Sequence, residues 1–469
     1  MPEDWNGPGM EKLWLYNLHY FDTLAAGDRQ SKTGIHKDLI DKWIDENIPG
    51  WGNGWEPYPL SLRIGNWIKW GLGGGRLSEQ AVHSLAIQVR FLNRRLEFHL
   101  LGNHLLANAK ALVLAGLFFD GDEADRWLYK GIQILERQLP EQVLRDGGHF
   151  ELSPMYHAII LEDFLDLVNG IKALGHGDSK ANDLDRTLRD RIPAMLEWLS
   201  IMCHSDGDIA FFNDAALGIG SRLADLTAYA GRLGFETGGR GRIGSRVLEA
   251  SGYVRLETQR AVLLADVGRI GPDYLPGHAH ADTLSFELSL DGKRVFVNSG
   301  ISCYGNSEER LLQRGTAAHN TLRLGGRNSS EVWGGFRVAR RAYPMGLDVE
   351  IGEQGGRIRC GHDGYARQRL HGNPVHWRTW VLGDHYLEIR DRVAGANQVI
   401  EIFFHLYPET QVDLESKTIR LGELKLSFDS DVGMEVVPTL FYPEFGKAIP
   451  NLCLKLRPEN NKSRIRFQF

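Results

Sequence analysis

The chain has 469 residues, 42% hydrophobic and 24% charged, a composition that suits a folded protein of two or three domains. A formal net charge of −6 excludes the global basic field that nucleic-acid binding needs, so any polyanion must be held by a local basic patch. No segment is long and apolar enough to span a bilayer, and the four widely spaced cysteines, with no Cys-x-x-Cys pair, suggest neither a zinc ribbon nor a disulfide framework and leave one bridge open. The first residues, Met-Pro-Glu-Asp-Trp-Asn-Gly, lack the basic start and apolar run of a secretory signal, which leaves cytoplasmic and exported locations both open. Oligomeric state is equally open.

From Leu13 to about Leu233 the apolar spacing is helical. Leu85, Val89, Leu92, Leu96 and Leu100 fall at steps of three and four, as do Leu105, Ala109, Leu112 and Gly116. Further helices are predicted over 60–70, 124–139, 159–174, 184–202 and 221–233, with Gly or Asp breaks as in stacked helical hairpins. Glycines then crowd among arginines from Gly238 to Gly252, a linker composition. Beyond it the period becomes two. Leu284, Phe286, Leu288 and Leu290 alternate, Asp291-Gly292 makes a turn, and Val295 and Val297 resume the alternation. Similar strands are predicted over 261–267, 377–382, 386–392, 399–406, 419–428 and 465–469. The expectation is a helical domain over 1–237, a linker over 238–252 and an antiparallel β domain over 253–469.

Four stretches concentrate chemistry. Residues 146–157 read Asp-Gly-Gly-His-Phe-Glu-Leu-Ser-Pro-Met-Tyr-His, placing His149, Glu151, Tyr156 and His157 beside a Ser153-Pro154 helix start. Residues 97–108 hold Gly102-Asn103-His104 and Asn108, an amide and an imidazole at a helix entrance that can donate to a carboxylate or simply cap the helix. In an extended Gly277-His278-Ala279-His280-Ala281-Asp282 the two histidines share one face, as a metal pair or a catalytic pair. Finally, Arg314, His319, Asn320, Arg323, Arg327, Trp333, Arg337, Arg340 and Arg341 interleave cations with an aromatic ring, which suits a sugar acid or a solvated face.

These stretches, together with Leu15-Tyr16-Asn17-Leu18-His19-Tyr20-Phe21-Asp22, Trp55-Glu56-Pro57-Tyr58, Thr316-Ala317-Ala318-His319-Asn320-Thr321 and the run from Ser330 to Arg337, resemble the heparinase II/III family over nearly the whole chain. The resemblance implies a multidomain α+β protein, with an N-terminal incomplete (α/α) toroid followed by a C-terminal antiparallel β-sandwich. It also implies a polysaccharide lyase that cleaves uronic-acid polymers by β-elimination. Asn103 and His104 match the pair that neutralises the uronate carboxylate, and Tyr156 matches the tyrosine acting as acid and, for one substrate epimer, as base. His278 is the candidate second base or polarising group. His149, Glu151, Arg314, Trp333, Arg337 and Arg340 are substrate-contact candidates. No cofactor is required. A structural divalent metal would use His280 and His319, but the third matching position is Asn298, and an amide is a poor zinc ligand. The expected partner is an acidic polysaccharide, either a glycosaminoglycan or a bacterial exopolysaccharide.

Two other functions compete. An inverting glycoside hydrolase needs two carboxylates with room for water between them, for which Glu151 and Asp214 are the nominees. A non-catalytic sugar-binding protein would have no use for a phenol, an amide and two imidazoles together.

Overall fold

The computed structural model describes residues 2–28, 30–175, 177–236 and 243–469. Two compact units emerge, one of 1–142 with 163–192 and one of 143–162 with 193–469. The stretch 146–157 therefore belongs to the second unit, although it lies well before the domain boundary expected from composition. Of the stretch expected as a linker, 238–242 lies outside the described residues, and Arg246–Leu248 is a strand paired with Tyr253–Glu257.

The first unit is helical. Lys12–Leu18, Thr33–Glu46, Pro57–Leu72, Glu79–Asn93, Gly102–Phe118 and Asp122–Gln142 pack around a core rich in tryptophan, with Trp43, Trp55 and Trp67 buried and the Trp43 and Trp67 rings meeting edge to face at 5.7 Å. Arg63 is buried among them, with its guanidinium 3.8 Å from the Trp43 ring and its donors on Gln88 and the Gly54 carbonyl. Lys110 lies between Asp163 and Asp166, at 2.5 and 2.6 Å. The helix carrying Leu85, Val89 and Leu92 stops at Asn93, short of the predicted run through Leu96 and Leu100. The Asn108 side chain captures the Glu97 amide at 2.8 Å and diverts the chain into a loop.

The second unit is mainly antiparallel β. Among the described residues, one sheet orders Arg246–Leu248, Tyr253–Glu257, Ala261–Asp266, Phe286–Leu290 and Lys293–Phe296. A larger sheet runs Gln411–Asp413, Thr418–Leu421, Leu424–Ser430, Lys462–Gln468, Tyr386–Ala394, Val375–Gly383, Gly355–His362 and Pro344–Gly352. A third orders Met434–Phe441, Ile449–Leu456, Ile400–His405 and Leu322–Leu324. Phe286, Phe296, Phe404, Phe467 and Trp380 fill the core that these sheets share.

The predicted hairpin forms, with Leu290 opposite Lys293 and left-handed Asp291 and Gly292 in its turn. Its strand starts at Phe286 rather than Leu284, and it is buried on both faces, not one. The predicted strand 419–428 is two strands, because Gly422 adopts a positive φ and reverses the chain.

Candidate active site

In the first unit the loop 94–101 enters the helix Gly102–Phe118 through Leu101, whose φ of 57° is costly for a side chain with a Cβ. That turn sets Asn103 and His104 on the first helical residues. Glu97 lies behind them, accepting from His104 Nδ1 at 3.0 Å and from Asn108 Nδ2 at 2.9 Å. Asn108 Nδ2 also reaches Ser61 Oγ at 3.0 Å. With Nδ1 committed to Glu97, Nε2 is the nitrogen that His104 can offer a ligand, and its side chain is 30% exposed. Tyr58 stacks on His104 with centroids 4.4 Å apart and hydrogen-bonds Asn103. The amide and the imidazole are thus held by Tyr58, Glu97 and Asn108.

The second unit holds a larger cluster. Ser153 Oγ caps the helix Pro154–Leu174 by accepting the Tyr156 amide at 3.2 Å, as Ser-Pro implies. The preceding Gly147-Gly148 is a close-approach site. A Cβ at Gly147 would stand 2.3 Å from the Ala194 carbonyl oxygen, and one at Gly148 2.5 Å from Trp198 Nε1. Tyr156 is largely buried, its hydroxyl 2.8 Å from that of Tyr304 and its ring 3.9 Å from the His278 ring.

His278 Nδ1 meets Asp214 Oδ2 at 2.8 Å, and Nε2 lies 3.6 Å from Glu151 Oε2. Asp214 is fully buried and bound by three side chains. Arg310 grips both oxygens, Nη2 at 2.7 Å, and His280 Nε2 reaches Oδ1 at 2.8 Å. Burial alone would raise the Asp214 carboxyl, but Arg310, His278 and His280 together hold it well below the usual range. An ionised Asp214 accepts Nδ1–H from His278, which leaves the Nε2 lone pair as that ring's basic site. Arg310 also lies over the rings of Tyr304 and Phe336, at 5.0 and 5.6 Å.

Two left-handed residues shape this cluster, Leu152 at φ 59° and Asn213 at φ 56°, immediately before Ser153 and Asp214. The Leu152 carbonyl accepts from the Tyr253 hydroxyl at 2.6 Å and from Asn213 Nδ2 at 3.0 Å. Asn213 in turn donates its amide to Asp282 and accepts the His280 amide, both at 3.0 Å.

Several expectations are corrected by this geometry. His149 is fully buried, with its amide on His157 Nδ1, so it has no surface to offer a polymer. His157 stacks on Trp198 at 4.4 Å and bonds the Met195 carbonyl, a packing role. Arg314 is also fully buried, tying the Ala279 and Gly334 carbonyls together, so it positions the His278 loop instead of touching substrate. Glu151 is nearly inaccessible but faces His278. Trp333, 54% exposed, sits under Arg337 at 5.5 Å in a two-strand ribbon, and Arg340 pairs with Glu331 at 2.8 Å.

The segment His278 to Ser285 is irregular, not extended; its histidines converge on one carboxylate instead of one strand face. His280 Nδ1 faces His319 Nε2 at 3.2 Å, and burial holds these rings down to about 4 and about 3, hence neutral near pH 7. Asn298 is committed to the Phe211 carbonyl and the Asn320 amide, and no group of three His, Cys, Asp or Glu gathers as a metal shell among the described residues. The donor set does not fit a structural divalent ion. Asp214, with its oxygens spent on Arg310 and two histidines, has no place for the water of an inverting hydrolase.

Glu97, Tyr58, Tyr304, Arg310, Asn213 and Tyr253 were not foreseen. Arg310 had one signal: with Gln313 and Arg314 it makes a polar face at positions i, i+3 and i+4 of the helix Glu308–Arg314, and that face is buried.

Residues 78–229 match the model of the heparinase II/III N-terminus, and 240–468 that of the heparinase II/III-like C-terminal region. A heparin-sulfate lyase of Bacteroides stercoris is 28% identical over 249 residues, covering 49% of this chain and 37% of the relative. One of Pedobacter heparinus is 27% identical over 249 residues, covering 48% and 36%. The chain thus spans little more than a third of these curated relatives' length. A crystal structure of heparinase III superposes with a TM-score of 0.74 at 20% identity, covering 96% of this chain and 76% of that one, which gives the fold as helical toroid plus β-sandwich. Among the described residues no helix is long and apolar enough to cross a membrane.

Proposed function

Because the chain belongs to the heparinase II/III family, we propose that it is a polysaccharide lyase acting on a uronic-acid-containing glycan, with a glycosaminoglycan of the heparan type as the first substrate to test. In β-elimination a base takes the C5 proton, the bond from C4 to the glycosidic oxygen breaks, an acid protonates that oxygen, and a C4–C5 double bond remains. The C5 proton is weakly acidic because the neighbouring carboxylate is charged, so donors fixed on that carboxylate lower the barrier most. Asn103 and His104 Nε2 are assigned to it, held by Tyr58 and Glu97.

Tyr156 is assigned to proton transfer, as acid to the leaving oxygen and, for one uronate epimer, as base at C5. His278 is the base for the other epimer, its Nε2 lone pair fixed by Asp214 and Arg310. The observation that carries the reading is the Tyr156–His278 stack mounted on a buried, ionised Asp214. A phenol beside a base oriented by a third group is acid–base equipment, which a binding module does not need. Tyr304 shares a hydrogen bond with the Tyr156 oxygen and orients it.

Mass spectrometry of the products from heparan sulfate, hyaluronan, chondroitin sulfate and alginate tests this. Elimination yields fragments whose masses sum to that of the substrate. Fragments heavier by one water per cleavage would establish hydrolysis instead.

A further inference from the structure

The larger sheet of the second unit buries one face in the core and turns the other to solvent. On that outer face two rungs cross the strands Gly355–His362, Val375–Gly383, Tyr386–Ala394 and Lys462–Gln468. One rung is Arg359, Thr379, Arg390 and Arg464, and the next is Gly361, Trp377, Arg392 and Lys462. They line a shallow groove of about 360 Å³.

Three features mark this groove as built for an anion. Arg390 stands directly opposite Arg464, and Arg392 directly opposite Lys462, and like charges at opposed positions destabilise a sheet. Glu388 offsets the first pair by binding both arginines, whereas Arg392, Lys462 and Arg359 have no carboxylate within 4 Å among the described residues. Asp391, which also lines the groove, is buried and already bound by Arg378 and His376 at 2.8 and 2.6 Å; Asp431 lines it as well, and Asp348, opposite Arg359 on the neighbouring strand, is bound by Arg357 at 2.7 Å. Trp377 lies flat on the sheet because glycines lie beneath it. A Cβ at Gly361 would meet its ring at 2.7 Å and one at Gly346 at 2.8 Å. The Arg359 guanidinium covers that ring at 4.2 Å, a stack that holds the cation while leaving its N–H edges for an anion. Rungs about 7 Å apart and strands about 5 Å apart make a lattice of cations that suits a linear polymer with repeating negative groups.

We propose that this outer face is a second, non-catalytic site that holds an anionic polysaccharide chain. The anion site stands on the sheet itself; only its assignment to a glycan rests on the lyase reading. It would retain a long polymer on a protein whose overall charge is −6.

The test compares Tyr156→Phe protein, which leaves the polymer intact, with the same protein carrying Arg359→Ala, Arg392→Ala and Lys462→Ala, for binding to immobilised heparan sulfate across a salt series. A tenfold or greater loss of affinity and a shallower salt dependence are expected, because three fewer cations release fewer counterions. With Tyr156 present, the three substitutions should leave turnover of a tetrasaccharide unchanged. Equal affinity for heparan sulfate overturns the proposal, as does tighter binding of a single-stranded DNA oligonucleotide through the same residues. Failure of the lyase reading would appear separately, as absence of unsaturated product alongside an intact binding difference.

Discussion

The two candidate clusters are built in opposite ways. In the first unit, Asn103, His104, Glu97 and Asn108 come from one stretch of twelve residues, with Tyr58 and Ser61 added from one helix. In the second, Tyr156, Asp214, Tyr253, His278, Tyr304 and Arg310 come from widely separated stretches and gather around one buried ion pair. A local cluster is held by short-range hydrogen bonds and one strained turn at Leu101. A convergent cluster depends on the whole β unit being folded, so its chemistry and its stability are coupled.

That contrast orders the expected effects. Tyr156→Phe should lower kcat by about 10³-fold with little change in melting temperature, since the ring and its packing remain and only the hydroxyl, with its bond to Tyr304, is lost. Full turnover by the variant would remove Tyr156 from the chemistry. Breaking the ion pair should cost both properties. Asp214→Asn leaves Arg310 buried and uncompensated, at about 3–5 kcal/mol of stability measured by denaturant unfolding, and lowers kcat by about 10²-fold. The double variant Asp214→Asn with Arg310→Met should regain much of that stability while remaining slow; recovery of activity as well would mean that Asp214 serves the fold alone.

The local cluster should separate the two properties. Asn103→Ala is expected to lower kcat by about 10²-fold with little change in unfolding free energy. Glu97→Gln should cost about tenfold in kcat, because it weakens the orientation of His104 and leaves Asn103 in place. A large loss of stability in either variant would break the distinction between the clusters.

The effect that is smallest at neutral pH concerns acid. Burial holds His157, His280 and His405, all in the second unit, down to about 4. Their unfolded values lie near 6.5, so the unfolded chain binds protons more readily. Stability from these groups is complete above about pH 6.5 and is lost as the pH falls toward 4. Thermal melts should shift downward by several degrees through that window. A flat profile would show that these rings are not buried neutral.

The helix and strand types were legible because their periods differ, and the Asp291-Gly292 turn and the Ser153-Pro154 cap each have a short-range cause. The motifs single out Asn103, His104 and Tyr156, and the structure places them at the starts of two helices. What stayed hidden depends on burial or pairing. Arg314 reads as an exposed cation until the fold places it between two carbonyls, and His149 reads as a ligand until the loop encloses it. Asp214 can be nominated for a hydrolase because nothing in its own loop announces Arg310, 96 residues away.

Ultraviolet absorbance during incubation with heparan sulfate, for the native protein and Tyr156→Phe side by side, tests the central assignment most directly. Elimination creates a conjugated unsaturated uronate that absorbs, so the native protein should give a steady rise and the variant a flat trace at the same melting temperature. New reducing ends without absorbance, or an undiminished rise from the variant, would contradict it.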